Sequence, residues 1–258
     1  MKLAHYWTRQ TGEAIGPMGE RIRVVSRGWS NESIQQAAAV ARDVASRVAQ
    51  RIASGETKNP QQYQYGDRPL PEPIVREPGP GAVITRNMYG ALVLNTETLM
   101  FVDIDRDDRP QHSAQIQRVV EANNLSARLY RTAAGYRVLI TNAAFQAASP
   151  QTEGLLKQFQ ADPLYIRLCS LQQSFRARLT PKPWRVGMPV PPVSFPFETP
   201  QQQAQFREWE TRYNNASAGF ATCRYLTSFG GVRIAPEFEE LVFDHDMDTK
   251  ATSPLPLA

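Results

Sequence analysis

The feature that most constrains the fold is a succession of short apolar segments between residues 82 and 180, separated by two helical segments. The segments AVITRNMYGALVLN and LMFVDID have the composition of strands, and the turn TET separates them. The segment ARLYRTAAGYRVLIT predicts a β-hairpin, because a three-residue loop that ends in Gly135 suits a turn whose last position needs a positive φ. Helical periodicity marks SAQIQRVVEANNL and the segment that begins at Asp162 and Pro163. This order of elements predicts an α+β fold with a mostly antiparallel sheet and flanking helices.

An N-terminal extension of strands and one long helix is predicted over residues 1–55. Two short strand-like segments come first, and apolar residues then recur at helical spacing along SNESIQQAAAVARDVASRVAQRIASG. Ser30 or Asn31 is expected to cap the start of this helix, and Gly55 is expected to end it.

The remaining boundaries follow from local composition. Residues 56–81 are rich in Pro and Gly, which predicts an extended connector. Residues 82–246 contain the α+β core, and residues 247–258 are expected to form a flexible tail.

Bulk composition limits the possible partners and compartment. The formal net charge of +4 and the pI near 9.2 are compatible with an anionic partner, although such an excess can simply be solvated. Cys169 and Cys223 are too few for a disulfide framework or a zinc cluster, so we expect reduced thiols in a cytoplasmic protein. The sequence contains no run that resembles a membrane span, and no membrane partner is expected.

Two acids, Asp103 and Asp105, stand at the end of the apolar segment LMFVDID. Residues i and i+2 of a strand point to the same face, roughly 7 Å apart at Cα. Two carboxylates on one face can share a divalent cation such as Mg²⁺ or Mn²⁺, which completes its shell with water and substrate phosphate. Alternatively, the strand ends near these acids, which are then solvated together with Asp107 and Asp108 in a charged turn.

The hairpin carries two arginines that can form a phosphate clamp. If its loop is Ala133–Gly135, Thr132 faces Tyr136 and Arg131 faces Arg137. Like charges directly opposite each other destabilise a sheet, so an anion between the two guanidinium groups would explain the pair. The alternative is an exposed hairpin with solvated arginines, and a shift of one residue in register removes the pairing altogether.

The densest basic patch lies farther along the chain. Arg176 and Arg178 share a face if their segment is a strand, and Lys182 and Arg185 follow on either side of Trp184. Basic residues mixed with an aromatic ring suit nucleotide phosphates and stacked bases. The segment PKPW can equally form a rigid turn packed on the core.

A second acidic cluster, FDHDMD, surrounds His245. Asp244 or Asp246 could supply a further carboxylate to a metal site, and the alternative is a polar surface near the C-terminus. The sequence has no G-x-S-x-G motif, no Walker A motif and no Cys/His metal spacing, which disfavours a nucleophilic hydrolase, a P-loop NTPase and a zinc enzyme.

Taken together, four features resemble the archaeo-eukaryotic primase superfamily, and most of all its bacterial and plasmid primase-polymerase branch. These features are a strand that ends in D-h-D, a helix, the hairpin TAAGYRVLI, and a later R-x-R-L-T-P, and they span roughly residues 91–182. The resemblance implies an RRM-like or primase-like sheet and a site that acts on nucleotides and on DNA or RNA.

The same resemblance implies roles for individual residues. Asp103 and Asp105 would hold the divalent metals, and Arg137 stands where the family has a histidine that touches the incoming nucleotide. The third carboxylate of the family has no clear match, and Asp244 and Asp246 are the candidates. The downstream residues that would hold triphosphate or template are Arg176, Arg178 and Lys182.

Three functions are therefore expected, in order of preference. The first is a metal-dependent nucleotidyltransferase that resembles primase-polymerases, with Arg131 and Arg137 on phosphate. The second is a catalytically inactive module that binds nucleotides or nucleic acid. The third is a structural or protein-interaction domain whose working surface includes the helix with Phe206, Trp209 and Tyr213.

Overall fold

The structure is a computed structural model that describes residues 1–55, 68–105, 110–231 and 233–258. The predicted charged turn at Asp107 and Asp108 lies outside the described residues, as does the stretch 56–67 of the predicted connector. The described residues form two compact units. The hairpin unit comprises residues 2–73 and 192–208, and the core unit comprises residue 1 with 74–191 and 209–258.

Strands and helices alternate along the described chain. The strands are β1 (Tyr6–Ile15), β2 (Arg21–Ser30), β3 (Ile74–Gly79), β4 (Ala82–Arg86), β5 (Leu92–Thr96), β6 (Phe101–Ile104), β7 (Ala127–Thr132), β8 (Tyr136–Ile140), β9 (Phe175–Arg178) and β10 (Cys223–Phe229). The helices are α1 (Ile34–Ala53), α2 (Pro110–Ala122), α3 (Pro150–Gln158), α4 (Pro163–Gln172), α5 (Pro200–Ser217) and α6 (Glu239–Thr249). In the part of the chain that the structure describes, none of these helices combines the length and the apolar character that a membrane crossing requires.

Three sheets organise the described strands, and the predicted α+β class is confirmed. The strand orders are β1-β2 in the hairpin unit, and β10-β7-β8-β6 and β3-β4-β5-β9 in the core unit. Neighbouring strands within each sheet pair antiparallel, as the sequence predicts. The segment predicted as one strand from residue 82 to residue 95 is in fact two, because a turn at Asn87–Gly90 separates β4 from β5.

In the hairpin unit, Gly28 determines how closely α1 packs onto β2. A Cβ atom at Gly28 would collide with the backbone of Ala37 and Ala41, so no larger residue fits there. Ala37 and Ala41 are fully buried, whereas Ile34 and Val48 of the same helix are exposed. Small residues on the inner face of α1 therefore allow its backbone to approach the strand.

The long helix forms where the periodicity predicts it, but its cap differs from the expected one. Ser33 is the N-cap, since its backbone is extended and its side chain accepts a hydrogen bond from Gln36 N at 3.1 Å. The predicted cap at Ser30 or Asn31 is therefore wrong, and Ser30 instead ends β2. Gly55 follows the last turn with φ +72°, as expected for a helix end.

In the core unit, β6 lies in the apolar interior and leads to the two acids. Phe101 and Val102 are fully buried, and Ile104 is 3% exposed. Tyr165 of α4 connects this strand to the other sheet, because its hydroxyl donates to Phe101 O at 2.7 Å and accepts from Arg176 N at 3.4 Å. The strands β6 and β9 therefore lie side by side although they belong to different sheets.

The predicted connector over residues 56–81 is wrong for its last part. Ile74–Gly79 is β3 and pairs antiparallel with β4. A segment rich in Pro and Gly can still join a sheet at its edge, where only one side of the strand needs a partner. β3 occupies such an edge in the order β3-β4-β5-β9.

The predicted flexible tail, residues 247–258, is also wrong. Its first residues complete α6, and Ala251 is fully buried. The end of the chain is held by backbone hydrogen bonds with Ala221, whose N–H donates to Pro256 O at 2.9 Å and whose carbonyl accepts from Ala258 N at 3.1 Å. The local composition of the segment cannot indicate such long-range partners.

Candidate functional site

Asp103 and Asp105, here called the acidic pair, lie at the end of β6. Asp103 is partly exposed in the strand, and Asp105 is exposed directly after it. The backbone of this strand end is fixed by α4, because Asp162 N donates to Asp103 O at 3.0 Å. Asp162 also caps α4 by accepting a hydrogen bond from Tyr165 N at 2.8 Å, as the sequence predicts. α4 therefore contacts the backbone of β6 directly at Asp103, and Asp105 lies two residues farther along the chain.

The negative charge of the acidic pair is not balanced by a direct protein contact. Among the described residues, neither carboxylate has a hydrogen-bond or ion-pair partner. Displacement of water by the surrounding protein raises the pKa of Asp105 above its ordinary value of 3.8, and the charges of Asp103 and Asp162 raise it further. Lys182 and Arg178 act in the opposite direction but do not cancel the shift. A bound cation would relieve this repulsion.

Arg178 ends β9 and Lys182 and Arg185 follow it, and these three residues are here called the cationic group. Arg178 and Lys182 lie within electrostatic range of the acidic pair, and Arg185 lies close to both of them. Burial lowers the pKa of Arg178 to about 10, and the neighbouring guanidinium groups of Arg137 and Arg185 add to this effect, which the acidic pair opposes. Burial likewise lowers the pKa of Lys182, and Arg178 and Arg185 lower it further. These three cations are therefore close enough to repel one another.

Two guanidinium nitrogens of the cationic group lack protein acceptors. Arg178 Nε and Arg185 Nη1 are buried and have no hydrogen-bond partner among the described residues. A buried donor without an acceptor costs about 1–3 kcal/mol, so such groups in a folded protein call for a specific explanation. An anion bound between these side chains would satisfy them, and guanidinium groups are well shaped for phosphate oxygens.

The direction of the strands brings the two charged groups to one edge. Tyr165 links Phe101 to Arg176 at the start of the two strands, and the charges of the acidic pair act on Arg178 and Lys182 at their ends. Because β6 and β9 run the same way, their carboxyl ends meet. The sequence predicted the acidic pair and a phosphate-binding set that includes Arg178 and Lys182, and the structure brings these two cations close to the acidic pair.

Arg137 lies next to this edge but is not available to a ligand in the predicted way. It is 3% exposed, and Nη1 donates to Arg178 O at 3.0 Å and contacts His245 Nε2 at 3.2 Å. Its Cα pairs directly with that of Asp103, so the two side chains share a face of the sheet. Arg137 therefore holds the end of β9 in place beside the acidic pair.

The predicted pairing of Arg131 with Arg137 is wrong by one residue of register. Arg131 pairs with Tyr136, and Arg137 pairs with Tyr130. Thr132 closes the turn by donating from its N–H to Gly135 O at 2.9 Å, so the loop is shorter than predicted. A one-residue shift moves a side chain to the other face, and Arg131 lies over the Tyr136 ring at 4.9 Å, away from the acidic pair.

Arg176 shares a face of β9 with Arg178, as predicted, but it is already engaged. Its Nη1 donates to Asn95 Oδ1 at 2.7 Å. The amide of Asn95 is fixed in turn by donating to Thr85 Oγ1 at 3.0 Å and to Val83 O at 3.1 Å. Arg176 is therefore part of a structural polar row on the sheet rather than of the cationic group.

Neither predicted third carboxylate lies with the acidic pair. Asp244 forms an ion pair with Arg76 at 3.5 Å. Asp246 accepts hydrogen bonds from Tyr130 OH at 2.7 Å and Arg128 Nη2 at 2.5 Å. In the described ranges no group of three or more His, Cys, Asp and Glu residues is assembled for a metal ion.

His245 is the residue of this site whose environment the sequence did not reveal. It was expected on a polar surface, yet it is fully buried, with its ring 5.0 Å from that of Tyr130 and 5.3 Å from that of Phe101. Its Nδ1 contacts Asp246 Oδ1 at 3.0 Å. Because Arg137 can only donate, its contact at Nε2 requires the tautomer in which Nδ1–H donates to Asp246. The sequence did contain a signal: Leu241 and Val242 precede His245 by four and three residues. This helical spacing places His245 on the apolar face of the helix.

Comparisons of the chain with protein-family models, with curated proteins and with solved structures found no significant match. The functional proposal therefore rests on the acidic pair, the cationic group and the residues that hold them.

Proposed function

We propose that this protein is a divalent-cation-dependent nucleotidyltransferase that acts on nucleoside triphosphates and on DNA or RNA, similar to primase-polymerases. One observation carries the proposal: the acidic pair, whose carboxylates have no partners among the described residues, lies beside a cationic group with buried and unbonded guanidinium nitrogens. Phosphoryl transfer depends mainly on positioning and on charge stabilisation, and this arrangement supplies both.

The acidic pair fits Mg²⁺ or Mn²⁺ as its cation. Carboxylate oxygens are the ligands that these hard cations prefer, and Mg²⁺ is often held by one or two carboxylates with phosphate and water. Burial, and then the charges of Asp103 and Asp162, raise the pKa of Asp105, so the protein itself does not stabilise its charged form. When bound, the cation would neutralise charge on the phosphate chain and orient it for attack.

The cationic group would hold the triphosphate, with Arg178 as its central residue. Arg178 offers a buried Nε donor and Arg185 a buried Nη1 donor, and Lys182 adds a further positive charge nearby. In the proposed reaction a 3′-hydroxyl oxygen attacks the α-phosphorus, the bond to the β-phosphate breaks, and pyrophosphate leaves as the hydroxyl proton passes to solvent. Arg137 supports this group through the backbone of Arg178 and is a positioning residue.

A binding module without catalysis is the second candidate, and one observation favours it. Asp244 and Asp246, the candidates for a third metal ligand, are both engaged by arginines away from the acidic pair. Two carboxylates can hold a nucleotide with its cation without advancing the reaction. This alternative predicts nucleotide binding that depends on the cationic group and falls steeply with salt.

The proposal includes a cytoplasmic location. Cys169 and Cys223 are free and buried, which is consistent with a reducing compartment.

Nucleotide incorporation with Mg²⁺ or Mn²⁺ tests the proposal. The wild type is compared with the double variant Asp103→Ala/Asp105→Ala and with Arg178→Ala, and Arg131→Ala is the control because it lies on the other face of the sheet. We expect incorporation by the wild type and the control, and a loss of at least about a hundredfold in the other two, since removing single charge-stabilising groups costs about that much.

Equal residual incorporation by the wild type and the double aspartate variant contradicts the enzyme. Absent incorporation together with salt-sensitive triphosphate binding that Arg178→Ala abolishes, and that the double variant retains, favours the binding module instead. Absent binding by the wild type at low salt contradicts both candidates.

A further inference from the structure

Two exposed aromatic rings form a pair close to the cationic group. Tyr89 and Trp184 are 40% and 50% exposed, and their ring centroids are 5.3 Å apart at an interplanar angle of 86°. Large aromatic side chains usually bury most of their surface, so a paired and half-exposed set is unusual on a protein surface. The case for a function of this pair depends on where the two rings lie relative to the cationic group.

The turn that carries Tyr89 is rigid. Asn87 Oδ1 accepts hydrogen bonds from Tyr89 N at 3.0 Å and from Ala91 N at 3.1 Å. Gly90 has φ +86°, and a Cβ atom there would collide with the ring of Trp209. The exposure of Tyr89 is therefore a property of a fixed turn rather than of a loose loop.

The turn that carries Trp184 is equally constrained. Trp184 lies in a 3₁₀ turn, Pro183–Val186, which begins with a proline and ends at Gly187 with φ +71°. The turn is closed by Met188 N, which donates to Pro183 O at 2.9 Å. The backbones that carry both rings are thus ordered before any ligand arrives, which lowers the entropic cost of binding.

Lys182 connects the aromatic pair to the cationic group. Its Nζ lies 5.5 Å from the centre of the Trp184 ring, and the same ammonium group is acted on by the charges of Arg178 and Asp105. An aromatic face and a phosphate-binding charge therefore lie within the length of one side chain. A nucleotide has this layout, because its flat base and its phosphate chain are joined through a ribose.

We propose that Tyr89 and Trp184 form a stacking surface for a nucleobase whose phosphate chain is held by the cationic group. This inference rests on the proposed function and adds the base as a recognised part of the substrate. Stacking on an aromatic ring tolerates every base, because each base has a π face, so the surface favours nucleotides over other phosphates without selecting a sequence. The base belongs either to a free nucleoside triphosphate or to a single strand of nucleic acid.

Binding of three probes tests the inference: MgATP, inorganic tripolyphosphate with Mg²⁺, and a single-stranded oligothymidylate. Each is titrated by calorimetry against the wild type, Trp184→Ala, Trp184→Phe and Tyr89→Ala. Tyr6→Ala is the matched control, because Tyr6 is also 41% exposed but belongs to the hairpin unit. Thermal denaturation of each variant verifies folding, and Trp184→Phe retains a flat ring where a truncation could disturb the turn.

We expect Trp184→Ala to weaken MgATP or the oligothymidylate by about 5- to 150-fold, the range measured for loss of one stacked base. Tripolyphosphate affinity should change less than about twofold, and Trp184→Phe should restore most of the lost affinity. The probe that loses affinity identifies the source of the base.

Two results overturn the inference in different ways. If tripolyphosphate binds and Trp184→Ala leaves MgATP and the oligothymidylate unchanged, the stacking surface is wrong while the phosphate site stands. If the wild type binds none of the three probes, the phosphate site fails as well. Binding that depends on Trp184 without any nucleotide incorporation supports the surface and contradicts only the catalytic part of the proposed function.

Discussion

Arg137 lies directly opposite Asp103 in the antiparallel ladder of β6 and β8, yet its guanidinium bonds to the backbone of Arg178 and to the ring of His245. Among the described residues it forms no ion pair with an acid. The buried charge beside the acidic pair therefore works as a structural link between β8, β9 and α6. Substitutions can therefore distinguish what Arg137 contributes to folding stability from what it contributes to ligand binding.

Replacing Arg137 should destabilise the fold more than it changes ligand contacts. Arg137→Met removes the guanidinium donor to Arg178 O and to His245 Nε2, and an unsatisfied buried acceptor costs about 1–3 kcal/mol. Urea denaturation measures the free energy of unfolding, and Arg118→Met on the exposed face of α2 is the control, expected within about 0.5 kcal/mol of the wild type. An Arg137→Met protein as stable as the wild type would show that these contacts contribute nothing.

The hydroxyl of Tyr165 should stabilise the junction between β6 and β9. Tyr165→Phe removes the donor to Phe101 O and the acceptor for Arg176 N, so we expect a loss of about 1–3 kcal/mol. Burial raises the pKa of Tyr165 well above its ordinary value, so the hydroxyl stays protonated and the loss should be the same from pH 6 to pH 9. Chemical denaturation at these two pH values checks the prediction, with Tyr6→Phe as an exposed control. A loss that changes with pH in this interval would contradict the assigned role.

Elements whose signals are local could be predicted from the sequence. The helix α4 begins at Asp162 because an Asp cap and a proline in the first turn act within a few residues. Asp103 lies in the apolar strand β6 and Asp105 directly follows it, and the adjacent residues were enough to predict this context. The proximity of Arg178 to the acidic pair was implied by the resemblance to primase-polymerases and has no local signal of its own in the sequence.

Features that depend on distant partners escaped prediction for a physical reason. The hairpin register differs by one residue, since the turn closes between Thr132 and Gly135, and such a shift reverses the face of Arg131. His245 looked like surface because acids flank it, but Tyr130 and Arg128 satisfy Asp246 from a strand more than a hundred residues away. Neither partner can be inferred from the segment FDHDMD itself.

The ion pair between Asp246 and Arg128 should contribute more stability than the ion pair that Asp244 of the same helix forms with Arg76. Burial alone would raise the pKa of Asp246, but hydrogen bonds from His245 and Tyr130 and the charge of Arg128 lower it overall. Asp246→Asn leaves Arg128 largely buried without its counter-charge, and we expect a loss of about 2–4 kcal/mol at neutral pH.

The pH dependence of this loss has a definite sign. Because the pKa of Asp246 is lowered on folding, its contribution is present above the ordinary value of 3.8 and disappears as the pH falls through the lower, folded value. Asp244→Asn is the control, since its ion pair with the half-exposed Arg76 is worth about 0–1 kcal/mol. Equal losses for the two variants at neutral pH would contradict the assigned role of Asp246.

Asp105 should lower the stability of the metal-free protein while enabling it to bind a cation. The pKa of Asp105 is raised on folding, so the folded state disfavours its charged form. The folded state then binds the proton more tightly than the unfolded state, and stability falls as the pH rises from 3.8 through the folded pKa. Asp105→Asn removes this penalty, and we expect a small rise in the melting temperature at neutral pH that vanishes below about pH 4.

Addition of Mg²⁺ or Mn²⁺ should make the melting temperature of the wild type higher than that of Asp105→Asn. A cation that binds only the folded state raises the melting temperature of the wild type as its concentration increases, whereas Asp105→Asn should respond weakly because one of the two carboxylates is gone. Differential scanning calorimetry with and without the cation measures both effects, and Asp43→Asn on the exposed face of α1 is the control that should behave like the wild type. If Asp105→Asn is less stable than the wild type without metal, the acidic pair is stabilised by the protein alone and the case for a cation between its carboxylates fails.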